Sequence, residues 1–159
     1  IEDAIHAGAS WVGIGSKAVT DPSWVKQVIE TIGADRILLS ADARDGYVAT
    51  KGWTQTSNVT LTEHIRTYLD AGVCRMVVTD IGRDGMLQGP SIELYKSLLA
   101  QFRGDGLNLI ASGGISGIAD LESCQAIGCA AVVIGKAYYE GHLSLEAIVG
   151  FETLHSGQN

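Results

Sequence analysis

The chain has little of what would tie it to a nucleic acid, a membrane or a metal. Eleven lysines and arginines stand against 18 aspartates and glutamates, a formal net charge of −7. No run of basic residues exceeds two, so duplex nucleic acid and anionic bilayers are poor partners for this surface. No apolar run approaches the roughly 20 residues of a membrane span, and no signal peptide is visible. The three cysteines, Cys74, Cys124 and Cys129, are odd in number and lack the paired spacing of a zinc site. They are expected as small core residues in a reduced, cytoplasmic compartment. His6, His64, His142 and His155 have no ligand spacing either and read as surface or capping residues, so no metal is expected. Disorder is excluded by a 46% apolar content, and 159 residues make one domain, 1–159, able to bury about two thirds of its unfolded surface.

What is present is repetition. Gly8-Ala-Ser-Trp-Val-Gly-Ile-Gly15-Ser16 returns 120 residues later as Gly128-Cys-Ala-Ala-Val-Val-Ile-Gly135-Lys136. In each copy a buried strand runs into a glycine, where backbone N–H groups can close around an anion. Two such cradles predict a ligand with a phosphate at each end. Gly15 and Ser16 form one, with hydroxyl and backbone in place of charge; Gly135 and Lys136 form the other. Strands are expected at about Trp11–Ile14, Ile37–Ala41, Met76–Thr79, Asn108–Ala111 and Ala131–Ile134, apolar on both faces as in a covered parallel sheet. Helices lie between them. Thr20-Asp21-Pro22 opens one that Gly33 closes, Thr60-Leu-Thr-Glu63 is a capping box, and Pro90-Ser91 and Ser116 open two more. A second repeat, Arg36 to Gly46 against Arg75 to Gly85 at an offset of 39, makes the units equivalent. Equivalent βα units with polar strand ends describe a (β/α)₈ barrel, an α/β fold that needs at least about 200 residues. Five units are present, so the chain is expected to be an incomplete barrel holding strands 4 to 8. It opens Ile1-Glu-Asp, without methionine and inside a helix, which reads as truncation.

At the strand ends the residues turn polar: Asp42 and Arg44, Thr79 and Asp80, Ser112-Gly113-Gly114, then Gly135-Lys136. In a barrel these gather at one mouth, where active sites sit. Asp42 is either a partly desolvated proton-transfer group or a solvated loop carboxylate. Thr79 is either its hydrogen-bonding partner or an ordinary β-branched strand residue. Gly113 and Gly114 lead into a helix one unit before Lys136, the arrangement of phosphate-binding loops in barrels. Trp53, in a long glycine-punctuated loop, either stacks on a planar heterocycle or packs over the rim. Trp11 and Trp24 read as packing residues. Asp45 and Asp84 are turn formers in two Arg-Asp-Gly turns, with Asp84 and Arg83 near enough to the mouth to touch a ligand.

These segments resemble the histidine-biosynthesis isomerases that act on phosphoribosylformimino aminoimidazole carboxamide ribotide. The resemblance rests on Ala41-Asp-Ala-Arg44, Lys51-Gly-Trp53, Val78-Thr-Asp-Ile81, Arg83 to Pro90, Ile110 to Ile115 and Val133 to Gly141, in family order. It implies a cofactor-free Amadori rearrangement of an aminoaldose to an aminoketose. Asp42 would be the general acid, Thr79 would orient it and Trp53 would stack on the carboxamide-imidazole. Asp84 and Arg83 would touch substrate. Gly113, Gly114, Gly135 and Lys136 would bind one phosphate, and Gly15 and Ser16 the other. The family's general base is an aspartate on a first strand that these residues do not include, so the chain alone is expected to be inactive. Its unpaired sheet edges favour self-association, whereas the full-length protein is expected to be monomeric. Three alternatives stay open: a dual-substrate isomerase that also takes phosphoribosyl anthranilate, the sister cyclase, and a non-catalytic phosphosugar-binding half-barrel.

Overall fold

A computed structural model describes residues 1–155, except for the side chain of His155, which leaves that histidine's expected surface role outside the described part. In chain order the elements are α1 (Glu2–His6), β1 (Val12–Ile14), α2 (Lys17–Thr20), α3 (Pro22–Ile32), a 3₁₀ turn (Ala34–Arg36), β2 (Ile37–Arg44), β3 (Tyr47–Thr50) and β4 (Gln55–Thr60). Then come α4 (Leu61–Asp70), β5 (Arg75–Asp80), α5 (Ile92–Gln101), β6 (Asn108–Ser112), α6 (Ile118–Ala126), β7 (Ala131–Val133), α7 (Lys136–Tyr139) and α8 (Leu145–His155). It is an α/β fold with a mostly parallel sheet. The strand order is β4-β3-β2-β5-β6-β7, and β1 pairs with the start of β2.

The helix boundaries follow local chemistry. Asp21 accepts the Trp24 N–H at 3.2 Å, Pro22 sits in the first turn of α3, and Gly33 ends it at a φ of 88°. At α4 the capping box is complete. Glu63 N–H donates to Thr60 Oγ1 at 3.2 Å, and Thr60 N–H donates to Glu63 Oε2 at 3.0 Å. Two other helices open at or within a residue of the expected places, but other side chains hold their starts. Ser91 stands at the N-cap of α5 but makes no side-chain capping hydrogen bond; its hydroxyl donates to the Asp80 carboxylate. Ahead of α6 it is Asp120 that accepts, from Ser116 N–H and Oγ at 2.7 Å each and from Gly117 N–H at 3.2 Å.

The strands are not covered equally on both faces. Along β2, Ile37, Leu39, Ala41 and Ala43 are buried, while Leu38, Ser40 and Asp42 are half-buried. Helices cover the first face, and the core comprises it together with Val25, Ile65, Met76, Val78, Tyr95 and Leu109, all fully buried. The second face is the one that carries Asp42. The segment 46–54, expected as a loop, is the first half of an antiparallel hairpin over 47–60, joined to the end of β2 through Ala43↔Val48 and Arg44↔Tyr47. Tyr47, Val48, Val59 and Thr60 are good strand residues that the glycines around them obscured. Trp11 is also misjudged: it is 53% exposed, beneath the Arg75 guanidinium at 4.8 Å.

His64 contradicts the expectation that the histidines lie on the surface. It is buried on the inner side of α4, edge-on to Tyr68 with ring centroids 5.1 Å apart, and its Nε2 has no partner among the described residues. Burial without a partner holds its pKa at about 4, below the usual 6.5. Between those values the unfolded chain binds the proton and the folded one does not, so stability is present above pH 6.5 and is lost as pH falls toward 4. The loss amounts to about 3 kcal/mol from this one group. Urea unfolding between pH 7 and 4.5 measures it, and His64→Leu is expected to flatten that part of the profile. An unchanged slope in the variant would show that another group is responsible.

Candidate active site

Parallel pairing sets the site. In register, Asp42 lies opposite Thr79, Thr79 opposite Ser112 and Ser112 opposite Val133. These residues form a row across four neighbouring strands at their C-terminal ends, on one face because paired residues of adjacent strands share a face. Thr79 is 8% exposed and Asp42 half-buried. The Asp42 carboxylate has a fixed partner: Trp53 Nε1 donates to its Oδ2 at 2.8 Å. Trp53 reaches it from the β3–β4 turn, where Lys51, Gly52 and Trp53 have successive φ values of 52°, 60° and 70°. Non-glycine residues adopt this left-handed region at a cost. The turn is closed by Thr54 Oγ1 donating to the Lys51 carbonyl at 2.8 Å.

The connection from β5 to α5 folds back over the neighbouring strand end. Asp80 anchors it by accepting the Gly82 N–H at 2.9 Å on one carboxylate oxygen and the Ser91 hydroxyl on the other. Gly89 N–H donates to the Gly114 carbonyl at 3.0 Å. Glycine is required beneath this loop. A Cβ on Gly113 would lie 2.8 Å from the Asp80 carbonyl oxygen and one on Gly114 2.2 Å from that of Gly89, at φ values of 94° and 83°. Between loop and sheet is a cavity of about 150 Å³, lined among others by Asp84, Gly85, Ser112, Gly113, Gly114, Gly135 and Lys136. Lys136 Nζ donates to the Gly85 carbonyl at 2.9 Å and lies 3.7 Å from Glu140 Oε1. Arg83 does not reach outward; Nη1 donates to the carbonyls of Gln88 and Gly89 at 3.4 and 3.3 Å, bracing its own loop.

The internal repeat has a structural counterpart. Gly15 O accepts Ala18 N–H at 2.8 Å and Gly135 O accepts Tyr138 N–H at 3.0 Å, each at the start of a four-residue helix, α2 and α7. Both turns lie at the C-terminal end of the parallel strands, at opposite outer strands β1 and β7. Unlike Gly113 and Gly114, Gly15 has nothing within 4 Å of where a Cβ would stand. The structure thus brings Asp42, Thr79 and Trp53 together, and gathers Asp84, Gly113, Gly114, Gly135 and Lys136 around one cavity. Gly15 and Ser16 stand apart, beside β2. Sequence reasoning missed the Asp80–Ser91 anchor and the Trp53–Asp42 hydrogen bond. Both join residues 11 positions apart, a separation that no local motif marks.

The sequence model of the histidine biosynthesis protein family matches residues 1–144. The chain belongs to that family. It is 44% identical over 146 residues to a protein of Lachnoclostridium phytofermentans, covering 92% of this chain and 60% of that one. It is 41% identical over 151 residues to proteins of Streptococcus thermophilus and Parabacteroides distasonis, covering 95% of this chain and 62% of each. All three are named 1-(5-phosphoribosyl)-5-((5-phosphoribosylamino)methylideneamino) imidazole-4-carboxamide isomerase. The chain therefore spans about 60% of the length of these curated relatives. Among the described residues, no helix is long and apolar enough to cross a membrane, and no group of three or more His, Cys, Asp or Glu could hold a metal ion.

The contrast between the glycines is testable by thermal denaturation. Gly114→Ala is expected to destabilise by roughly 1–3 kcal/mol or more, from the left-handed φ and the carbonyl contact. Gly15→Ala, with open space around it, should stay within about 0.5 kcal/mol. Equal losses would mean that the loop does not rest on Gly114 as described.

Proposed function

We propose that the chain is the strand 4 to 8 portion of a (β/α)₈ barrel that catalyses the Amadori rearrangement of a bis-phosphoribosylated imidazole carboxamide in histidine biosynthesis, in the cytoplasm. The observation that carries the proposal is the registered pair Asp42 and Thr79 at the same strand ends as the glycine-lined cavity holding Lys136. The relatives' printed name, with a phosphoribosyl group at each end of its substrate, agrees with two cradles at opposite outer strands. In this reading β1 and β7 are closed by further βα units of the kind that fill the relatives' additional length. The exposed apolar residues beside β7 fit such closure: Val133 is 43% and Tyr139 85% exposed.

The rearrangement opens an aminoaldose ring. Asp42 gives its proton to the ring oxygen as the C1′–O bond breaks, and the nitrogen lone pair forms a C1′=N iminium. A base then removes the C2′ proton, giving an enaminol that relaxes to the aminoketose. That base would come from the closing units. Thr79, nearly buried beside Asp42, limits the directions the carboxyl can take. Trp53 donates its indole N–H to Asp42 from the mouth, and its ring face is the platform for the imidazole. Lys136 and the backbone N–H groups around Gly113, Gly114 and Gly135 hold one phosphate, and Gly15 and Ser16 the other. Asp84 borders the phosphate cavity with a like charge, so it serves as an acceptor for sugar hydroxyls and not for phosphoryl oxygens. Arg83 acts by bracing the loop that carries Asp84.

The test is an isomerase assay on the chain joined to the additional βα units of the Lachnoclostridium relative. Turnover is expected, and Asp42→Asn should lower kcat by about 10²–10⁴-fold with little change in KM. Lys136→Met should instead raise KM by about 10- to 100-fold, the worth of a charge-assisted phosphate contact. A protein that folds but does not turn over, or an Asp42→Asn variant with undiminished kcat, would overturn the assignment.

A further inference from the structure

Away from the mouth, two thiols meet. Cys124 lies in the last turn of α6 and is 1% exposed; Cys129 lies two residues before β7 and is half-buried. A tight turn through Gly128 folds one back on the other. Gly128 N–H donates to the Gln125 carbonyl at 2.9 Å, and Cys129 N–H donates to the Cys124 carbonyl at 3.0 Å. The turn leaves the two thiols close enough for each to act on the other's ionisation. Both residues line a cavity of about 920 Å³ between α6, β7 and α8 that is open to solvent. The third cysteine is placed differently: Cys74, before β5, donates to the Gly72 carbonyl at 3.6 Å.

The expectation of core residues holds for this pair, with Cys124 inside the core and Cys129 packed against it, but the two are also neighbours. A buried thiol normally resists ionisation, but the neighbouring Cys129 thiol favours the thiolate at Cys124 and lowers its pKa, while Cys124 and burial raise that of Cys129. Two neighbouring thiols at the wall of one cavity supply both an attacking and a resolving sulfur, the pair that disulfide formation through a sulfenic acid needs.

We propose that Cys124 and Cys129 form a reversible thiol–disulfide site, oxidised by hydrogen peroxide or another small peroxide that enters through the cavity. The Cys124 sulfur attacks one peroxide oxygen, the O–O bond breaks, and one water leaves to give a sulfenic acid. The Cys129 sulfur then attacks the Cys124 sulfur and displaces the second water. In sum two thiols and one H₂O₂ become one disulfide and two H₂O, the sulfurs being oxidised and the peroxide reduced. The bond would staple the end of α6 to the start of β7. These two elements also lead from Gly114 and into Gly135, the glycines of the phosphate cavity. The proposal does not depend on the isomerase reading.

The sequence makes the test direct. No lysine or arginine lies between Arg103 and Lys136, so tryptic peptide 104–136 carries both cysteines, and Cys74 falls in peptide 67–75. The intact chain is treated with a few equivalents of hydrogen peroxide, alkylated with iodoacetamide, and analysed by mass spectrometry. Expected is a 104–136 peptide lighter by two hydrogens and unalkylated, restored to two alkylated cysteines by dithiothreitol, while 67–75 stays alkylated. Cys129→Ser should abolish the two-hydrogen loss and leave Cys124 alkylated or as a sulfenic acid. Oxygen adducts on 104–136 without hydrogen loss, cross-links to Cys74, or disulfide-linked dimers as the main product would each overturn it.

Discussion

The structure depends on the register between β2, β5 and β6. Because side chains alternate along a strand, a slip of one residue in any of these pairings would turn Asp42, Thr79 or Ser112 from the open face into the helix-covered core. There an uncompensated carboxylate would cost several kcal/mol. Conversely, Ile37, Leu39, Ala41, Met76 and Val78 would be turned out of the core in which they are fully buried. The apolar pattern on one face thus fixes where the polar residues of the other must stand. The site is held in place by packing on the opposite side of the sheet, more than by contacts of its own.

Above that row the connecting segments are bound to one another through main-chain atoms. The β5–α5 loop rests on Gly113 and Gly114, is pinned by Asp80 and Arg83, and is reached by Lys136 through the Gly85 carbonyl. Tyr95, buried in α5, donates to the Ser112 carbonyl at 2.7 Å and so ties the helix beneath this loop to the strand end beneath the cavity. The cavity that holds Lys136 is therefore made by two loops and a helix that share hydrogen bonds. The Lys136 ammonium in this frame already has the Gly85 carbonyl and the Glu140 carboxylate as partners.

Much of this was legible in the residues. Five strands, their order of appearance, the caps at Asp21 and Thr60, and the polar strand ends all follow from short-range pattern, since period and capping are properties of neighbouring residues. The two glycine turns found by repetition are alike in three dimensions as well. The hairpin from Tyr47 to Thr60 was hidden because Gly46 and Gly52 read as loop punctuation when they mark its two bends. His64 was misjudged because its burial depends on what α4 packs against. The Trp53–Asp42 bond, the Asp80–Ser91 anchor and the meeting of Cys124 with Cys129 all depend on how a turn folds back. Residue spacing sets an upper limit on such contacts but does not specify them.

The hairpin has one further consequence. Its return strand β4 ends at Thr60 and α4 begins at Leu61, so no linker separates the tryptophan-bearing turn from a helix whose first turn is doubly hydrogen-bonded. Its other end is paired into the sheet beside β2. Any swing of the indole away from the carboxylate must then be absorbed within Lys51–Thr54, where three successive residues already have left-handed backbones. Rotation about a few bonds in that tetrapeptide, rather than hinged travel of a whole flap, is the motion the architecture leaves available above Asp42.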